Sequence, residues 1–179
     1  MDALLLALLL GLALDQGDRS QRLVQALDRQ GALPVSLIVI LGAATSAVLG
    51  FLVAPYLPGK AGLLFFAAAL VFGAIGLIVF RAARLPAAGG SRGALYLQLA
   101  LHRLSDRSGF LIVGVAAMTG NVWASAIGGA IGGLGALLPP LLTGTAYEKA
   151  VRLRLVAPIL GVLLLLVGLG SGLGALGLL

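Results

Sequence analysis

The chain has 179 residues, of which 60% are hydrophobic and 10% are charged, and its mean hydropathy is +1.13. Soluble domains carry about 25% charged residues, so this composition excludes an ordinary soluble protein and predicts an integral membrane protein. The formal net charge is +6. Basic residues in a membrane protein mainly set its orientation, so the charge does not indicate nucleic acid as a partner. The absence of cysteine excludes disulfides and thiolate metal sites.

Six helical spans are predicted in chain order. A spanning helix needs about 20 mostly apolar residues. Two spans carry polar interruptions, from residue 3 to about residue 27 and from residue 93 to about residue 118. The sequence lacks the alternating pattern of a membrane β-barrel, so we predict an all-α integral membrane protein with six transmembrane helices. The four uninterrupted spans are residues 34–57, 61–80, 122–142 and 155–176.

Basic residues fall mainly on one side of these predicted spans. Only Lys60 lies in a loop on the opposite side. By the positive-inside rule, this distribution predicts that both termini lie on the non-cytoplasmic side. The membrane is expected to be a bacterial inner (plasma) membrane. The residues assigned to the cytoplasmic side are Arg22, Arg29, Arg81, Arg84, Arg92, Lys149, Arg152 and Arg154.

The chain also contains an internal repeat. The tripeptide Asp-Arg-Ser at 18–20 recurs at 106–108, which is 88 residues later (106 − 18). The same offset maps the start of the second predicted span onto the start of the fifth, although chance similarity between Leu/Ala/Gly-rich helices is the alternative. Two halves, 1–88 and 89–179, would each hold three spans and enter the membrane in opposite directions. This is the inverted-repeat plan of many transporters, and it argues against a cleaved signal peptide at the first span, because the counterpart of that span is internal.

Polar residues interrupt the first and fourth spans at matching depths. Charges in the bilayer interior cost at least about 2.5–3.5 kcal/mol each and are usually functional. A continuous helix would place Asp15 and Asp18 on one face, and a pseudo-twofold axis would bring Asp106 to them. Such oxygen donors suit Mg²⁺, Ca²⁺ or Mn²⁺, and carboxylates in a low dielectric can exchange a proton for the ion. Further hydroxyl and amide oxygens come from Ser20, Gln21 and Ser108.

The alternative for these residues is a buried ion-pair network that only locks the helices. Asp15 and Asp18 would then pair with Arg103 and Arg107, and buried salt bridges are weak indicators of function. An enzyme is not indicated, because the sequence has no nucleophile–base set and His102, its only histidine, is interpreted as a packed or interfacial side chain.

Three smaller features concern packing and anchoring. Trp123 and Tyr147 lie near span ends and are interpreted as anchors at the membrane interface. Two GxxxG pairs in the fifth span predict close packing within the bundle, and a homodimer face is their alternative use. These pairs are Gly128/Gly132 and Gly129/Gly133.

The stretch DQGDRSQ at 15–21 resembles the E-x-G-D-[KR]-[ST]-Q motif of a small family of cation transporters (uncharacterised protein family 0016, the Gdt-type Mn²⁺/Ca²⁺ transporters). The resemblance covers essentially the whole chain: six spans, motif placement and repeat length. It implies two inverted three-helix repeats, an acidic pair that binds the divalent cation, and proton exchange as the driving force. Asp15 stands at the glutamate of the motif. The directly matching residues are Gly17, Asp18, Arg19, Ser20 and Gln21.

The second copy, at 103–109, departs from this motif. Arg103 stands where the family has its first carboxylate, and a guanidinium does not lose its proton in proteins. A cation about 5 Å from a dication costs several kcal/mol at an effective dielectric of roughly 20. Arg103 therefore turns away to water, pairs with a site aspartate, or impairs divalent-cation transport. Asp106, Arg107 and Ser108 match the motif, whereas Ser105 replaces its glycine and Gly109 its glutamine.

Two functions are consistent with the sequence. The first is a secondary transporter that exports Mn²⁺ or Ca²⁺ from the cytoplasm in exchange for protons. The second is a degenerate, non-transporting membrane subunit or scaffold with a structural Asp/Arg network. The expected partners are the lipid bilayer, the cation, protons and a second copy of the chain, with no cofactor beyond the transported ion. The residues expected to modulate the cation site are Arg103, Arg19, Arg107 and Gly17.

Overall fold

The computed structural model describes residues 3–16, 19–27, 31–79, 91–144, 146–147 and 153–178, and this part of the chain is all-helical. A short 3₁₀ turn, Ala54–Tyr56, extends the third helix. The α-helices of seven or more residues are α1 (Ala3–Leu14), α2 (Arg19–Gln25), α3 (Ala32–Val53), α4 (Ala61–Ile78), α5 (Arg92–Ser105), α6 (Arg107–Thr119), α7 (Val122–Thr143) and α8 (Leu153–Leu176).

Four of these helical stretches are long and apolar enough to cross a membrane. They confirm the four uninterrupted spans predicted from the apolar runs. At 1.5 Å per residue, the 22 residues of α7 extend about 33 Å, which matches the hydrocarbon core of a bilayer. Large apolar side chains such as Leu41 and Phe72 are exposed on their surfaces, as lipid-facing helices require. The stretches are Ala32–Tyr56, Ala61–Ile78, Val122–Thr143 and Leu155–Leu176.

The two spans with polar interruptions are broken helices. The first gives α1 and α2, and the second gives α5 and α6 on either side of Asp106. The second helix of each pair is described from Arg19 or from Arg107 onward, and the first helix of each pair ends at Leu14 or at Ser105. The 12 residues of α1 extend only about 18 Å, too short to cross the hydrocarbon core alone. Six spans and an inverted repeat remain predictions.

The first break corrects one expectation from the sequence. A continuous helix was expected to carry Asp15 and Asp18 on one face, but α1 ends at Leu14. The chain tightens there, because the backbone N–H of Gln16 donates to the carbonyl of Ala13, only three residues back, at 3.4 Å. Asp15 therefore lies beyond the end of α1 and not on a face of a continuous first span. Asp18 itself lies outside the described residues.

Helix α7 packs against α1 and α3. Gly128 and Gly132 face α1, where an added Cβ at either position would collide with the carbonyl oxygen of Leu4 or Leu8. Backbones this close require glycine, so this pair acts in packing within the chain, as predicted. Helix α4 packs against α6 and α8, and α3 packs against α5 and α6.

Two of the predicted turns join these helices. Residues 58–60 form the turn between α3 and α4, and residues 119–121 lie between α6 and α7. Gly120 ends α6 in the left-handed conformation (φ 66°), and the Asn121 side chain caps α7 by accepting a hydrogen bond from the Ala124 N–H at 3.0 Å. Trp123 follows and is 78% exposed, as an interface anchor would be.

The orientation of the chain stays a prediction. Among the basic residues on which it depends, Lys60 lies in the exposed turn before α4 and Arg92 is exposed at the start of α5. The residues that lie outside the described part are Arg29, Arg81, Arg84, Lys149 and Arg152.

Candidate functional site

Buried polar side chains concentrate at the two helix breaks. Nine polar or charged residues are buried in the described part of the chain. Seven belong to the breaks, the hydroxyl of Ser46 lies beside Gly109 at the second break, and Ser125 lies elsewhere. The bundle therefore holds one polar region that draws on both halves of the sequence. The residues at the breaks are Asp15, Gln16, Ser20, Gln21, Arg103, Asp106 and Ser108.

The centre of this polar region is an ion pair between Asp15 and Arg103. The Nη1 atom of Arg103 donates to the two carboxylate oxygens of Asp15 at 2.7 and 2.6 Å. The same nitrogen donates to Ser108 Oγ at 3.0 Å and lies 3.8 Å from Asp106 Oδ2. The Asp15 side chain is 0% exposed and that of Arg103 is 2% exposed. A guanidinium nitrogen therefore occupies the position between the two carboxylates.

Asp15 and Arg103 are exact counterparts under the 88-residue offset. Of the outcomes considered for Arg103, the structure shows pairing with a site aspartate. Arg103 replaces the first carboxylate of the second motif. It thus forms an ion pair with Asp15, which holds the same position in the first motif.

Glycines make room for the arginine. A Cβ at Gly133 would lie 2.8 Å from Arg103 Nη2 and 3.4 Å from Asp15 Oδ2. A Cβ at Gly109 would lie 2.8 Å from the backbone oxygen of Arg103, so no side chain fits there without movement of the end of α5. Gly109 stands where the family motif has glutamine. The glycine at 109 therefore fits the backbone at position 103, and this contact does not involve the arginine side chain.

Asp106 has a structural role beside its charge. Its backbone is extended (φ −81°, ψ 159°), and its Oδ1 accepts the N–H of Arg107 at 2.6 Å at the start of α6. Its Oδ2 accepts a hydrogen bond from Ser20 Oγ, in the other half, at 3.4 Å. An aspartate directly before an apolar run is a helix-start signal, so the break at this position could have been predicted.

A second set of contacts surrounds Gln21. Its Nε2 donates to the carbonyl oxygen of Ala136 at 3.1 Å and to Gln16 Oε1 at 3.3 Å. In a regular helix, the carbonyl of Ala136 would accept from the N–H of residue 140, which here is Pro140 and has none. The tandem proline in α7 therefore leaves a carbonyl that a side chain of α2 satisfies.

Tyr147 belongs to the same network. Its hydroxyl donates to Gln16 Oε1 at 3.0 Å, and the residue is partly buried. Sequence reasoning assigned Tyr147 to the membrane interface and missed this contact, for which the sequence carries no local signal. The carbonyl of Ala136 was also missed, although Pro140 four residues later is a signal for it.

The Gln21 contacts predict a conditional effect on stability. Gln21→Leu removes the donor to the buried Ala136 carbonyl and should lower the free energy of unfolding by about 1–3 kcal/mol. In a Pro140→Ala background, the restored N–H can serve this carbonyl, so the same substitution should cost less. Thermal unfolding of the four variants in detergent measures the difference. Equal losses in both backgrounds would contradict the role assigned to Pro140.

Six of the predicted site residues come together in the described part of the chain. Arg19 is exposed at the start of α2, and the Arg107 side chain lies against Gly76 of α4. Gly17 and Asp18 lie outside the described residues. The residues brought together are Asp15, Ser20, Gln21, Arg103, Asp106 and Ser108.

The described part of the chain holds no group of three or more His, Cys, Asp or Glu side chains that could bind a metal ion. The two carboxylates that it does describe, Asp15 and Asp106, meet at the guanidinium of Arg103. His102 is half-buried near the end of α5, and Ser105 is exposed and donates to the carbonyl of Leu101 at 3.2 Å.

Comparison of the chain with protein-family profiles, with curated proteins and with solved structures finds no match. The resemblance to cation transporters therefore rests on the residues of the two motifs.

Proposed function

We propose that the protein is a secondary transporter of a divalent cation, Mn²⁺ or Ca²⁺, of the type that its first motif resembles. The observation that carries this proposal is the pair of helix breaks, whose buried polar side chains form one cluster inside a bundle of apolar helices. Many secondary transporters bind their substrate where discontinuous helices of two repeats meet.

The chemistry of the cluster suits a hard cation. Carboxylate, hydroxyl and amide oxygens are the ligands that Mn²⁺ and Ca²⁺ accept in proteins. Helices α1 and α5 also end at the breaks, and helix C-termini carry partial negative charge. We assign the role of ligands to Asp15, Asp18, Asp106, Ser20, Gln21 and Ser108.

The resemblance also implies a direction and a driving force. In this scheme the cation leaves the cytoplasm and protons enter in exchange, carried by the same carboxylates. The two ions would alternate at Asp15 and Asp106, the two aspartates that face one guanidinium nitrogen.

The contact between Arg103 and Asp15 favours a second candidate function. A buried carboxylate that is already paired with an arginine has no need of a metal ion, and such pairs can be purely structural. The chain would then be a non-transporting membrane subunit or scaffold, and the Asp/Arg network would lock its two halves together.

Transport in vesicles distinguishes the two functions. Asp106→Asn removes a carboxylate from the cluster but keeps a good helix-capping side chain, so the fold should survive. For a transporter, uptake of Mn²⁺ into proteoliposomes should fall at least about tenfold in this variant, which corresponds to about 1.4 kcal/mol. Ser105→Ala, an exposed neighbour, is the control and should transport normally. Wild-type vesicles that take up no more Mn²⁺ than empty ones would support the scaffold.

A further inference from the structure

We propose that Arg103 takes the place of the counter-ion in the transport cycle, so that this chain moves its cation by uniport and not by obligatory exchange for protons. The proposal rests on the transport function above and departs from it in what drives movement and in its direction, because an inside-negative membrane potential draws an uncoupled dication inward. It concerns the one residue that changes the charge of the second motif.

Arg103 is held as a resident cation of the site. Its Nη1 lies within 3.0 Å of Asp15 and Ser108, and the guanidinium fits against Gly133, where any side chain would displace it. A Cβ at Gly42 of α3 would lie 3.4 Å from the Cβ of Arg103. Contacts from α1, α3, α6 and α7 thus position the arginine inside the bundle.

Obligatory exchange arises because an empty carboxylate site carries unbalanced charge. Leaving a carboxylate uncompensated in a low-dielectric interior is costly, so an empty carrier of this kind does not reorient until a proton or another cation neutralises it. Arg103 neutralises Asp15 without entering or leaving the protein. Since a guanidinium keeps its proton, the charge that Arg103 contributes does not change with pH.

Cation binding requires Arg103 to release Asp15, and the structure provides a second carboxylate for it. Asp106 Oδ2 lies 3.8 Å from the same nitrogen. A movement of about 1 Å would bring the two atoms to the 2.7–2.9 Å of a charge-assisted hydrogen bond. The cation would then take the place of the guanidinium on Asp15. Repulsion from the nearby arginine would keep its affinity low and its release fast.

Proteoliposomes that contain either a Mn²⁺-quenched dye or a pH-sensitive dye test the proposal, with the membrane potential clamped. In wild-type vesicles at equal pH on both sides, Mn²⁺ should enter while the internal pH stays constant. In Arg103→Gln vesicles, Mn²⁺ entry at equal pH should fall at least tenfold. When the interior is made acidic, Mn²⁺ entry should recover, and the internal pH should rise as protons leave in exchange. Arg92→Gln, an exposed arginine of the same helix, should behave as wild type.

The outcomes separate this proposal from the transport function. Proton movement that accompanies Mn²⁺ entry in wild-type vesicles would overturn uniport and leave transport intact. Absence of Mn²⁺ entry in both the wild type and Arg103→Gln would overturn both. If Arg103→Gln does not fold, the wild type alone decides, because uniport of a dication must accelerate with an inside-negative potential and must leave the internal pH unchanged.

Discussion

Replacing Asp15 by asparagine should lower the stability of the protein by about 3–5 kcal/mol. The substitution leaves the guanidinium of Arg103, which is 2% exposed, without the carboxylate that now accepts two of its hydrogen bonds. Removing one partner of a buried ion pair costs far more than the net value of the pair, because the nearest carboxylate left to the arginine in the described residues, that of Asp106, lies 3.8 Å away. Unfolding in mild detergent, followed by helical circular dichroism, measures the loss.

The double variant Asp15→Asn/Arg103→Gln provides the control for this effect. With both charges removed, the penalty for the stranded arginine disappears, so the double variant should be more stable than Asp15→Asn alone. Asp106→Asn should cost less than Asp15→Asn, because its carboxylate lies 3.8 Å from the arginine and asparagine preserves the cap. Strictly additive losses at positions 15 and 103 would show that the pair is not coupled.

Replacing Arg103 by glutamate should make the stability of the protein depend on a bound cation. Glutamate at this position restores the charge of the family motif and puts a second carboxylate beside Asp15. Repulsion between like charges should destabilise the metal-free variant, and Mn²⁺ should restore it. Binding at 100 times Kd stabilises a protein by about 2.7 kcal/mol, which is several degrees in unfolding temperature for a domain of this size.

The matched control for the glutamate variant is Arg92→Glu, an identical charge change at an exposed position of the same helix. Neither this control nor the wild type should gain more than a small fraction of that stabilisation from Mn²⁺. A response to Mn²⁺ as large in the wild type as in Arg103→Glu would show that the arginine does not occupy the cation position.

The long helices could be predicted from the sequence because an uninterrupted apolar run of about 20 residues forms a helix when it lies in a membrane. Helices α3, α4 and α7 begin within a few residues of the predicted spans, and the turns at 58–60 and 119–121 follow from proline, glycine and asparagine. The end of α1 at Leu14 could not be predicted in this way. Its residues are good helix formers up to the break, and the polar run that follows was expected to continue the helix.

The sequence predicted which residues lie in the site better than it predicted which hydrogen bonds and ion pairs they form. The repeat predicted that Asp15 and Asp106 would approach each other, and they do, through Arg103. The room for the guanidinium beside Asp15 is left by Gly133, a residue 30 positions away that no motif includes (133 − 103). Gln21 was predicted as a cation ligand, yet its amide nitrogen serves the Ala136 carbonyl, and the reason lies in Pro140.

The separation of Asp15 and Arg103 along the chain has a consequence for biosynthesis. The arginine leaves the ribosome 88 residues after its partner. At about 5–20 residues per second, the aspartate waits roughly 4–18 s before its counter-charge exists. During this interval the nascent first half holds a carboxylate that the finished bundle buries completely. We therefore expect the α1 segment to stay close to water or to the insertion machinery until α5 arrives, and the bundle to close late.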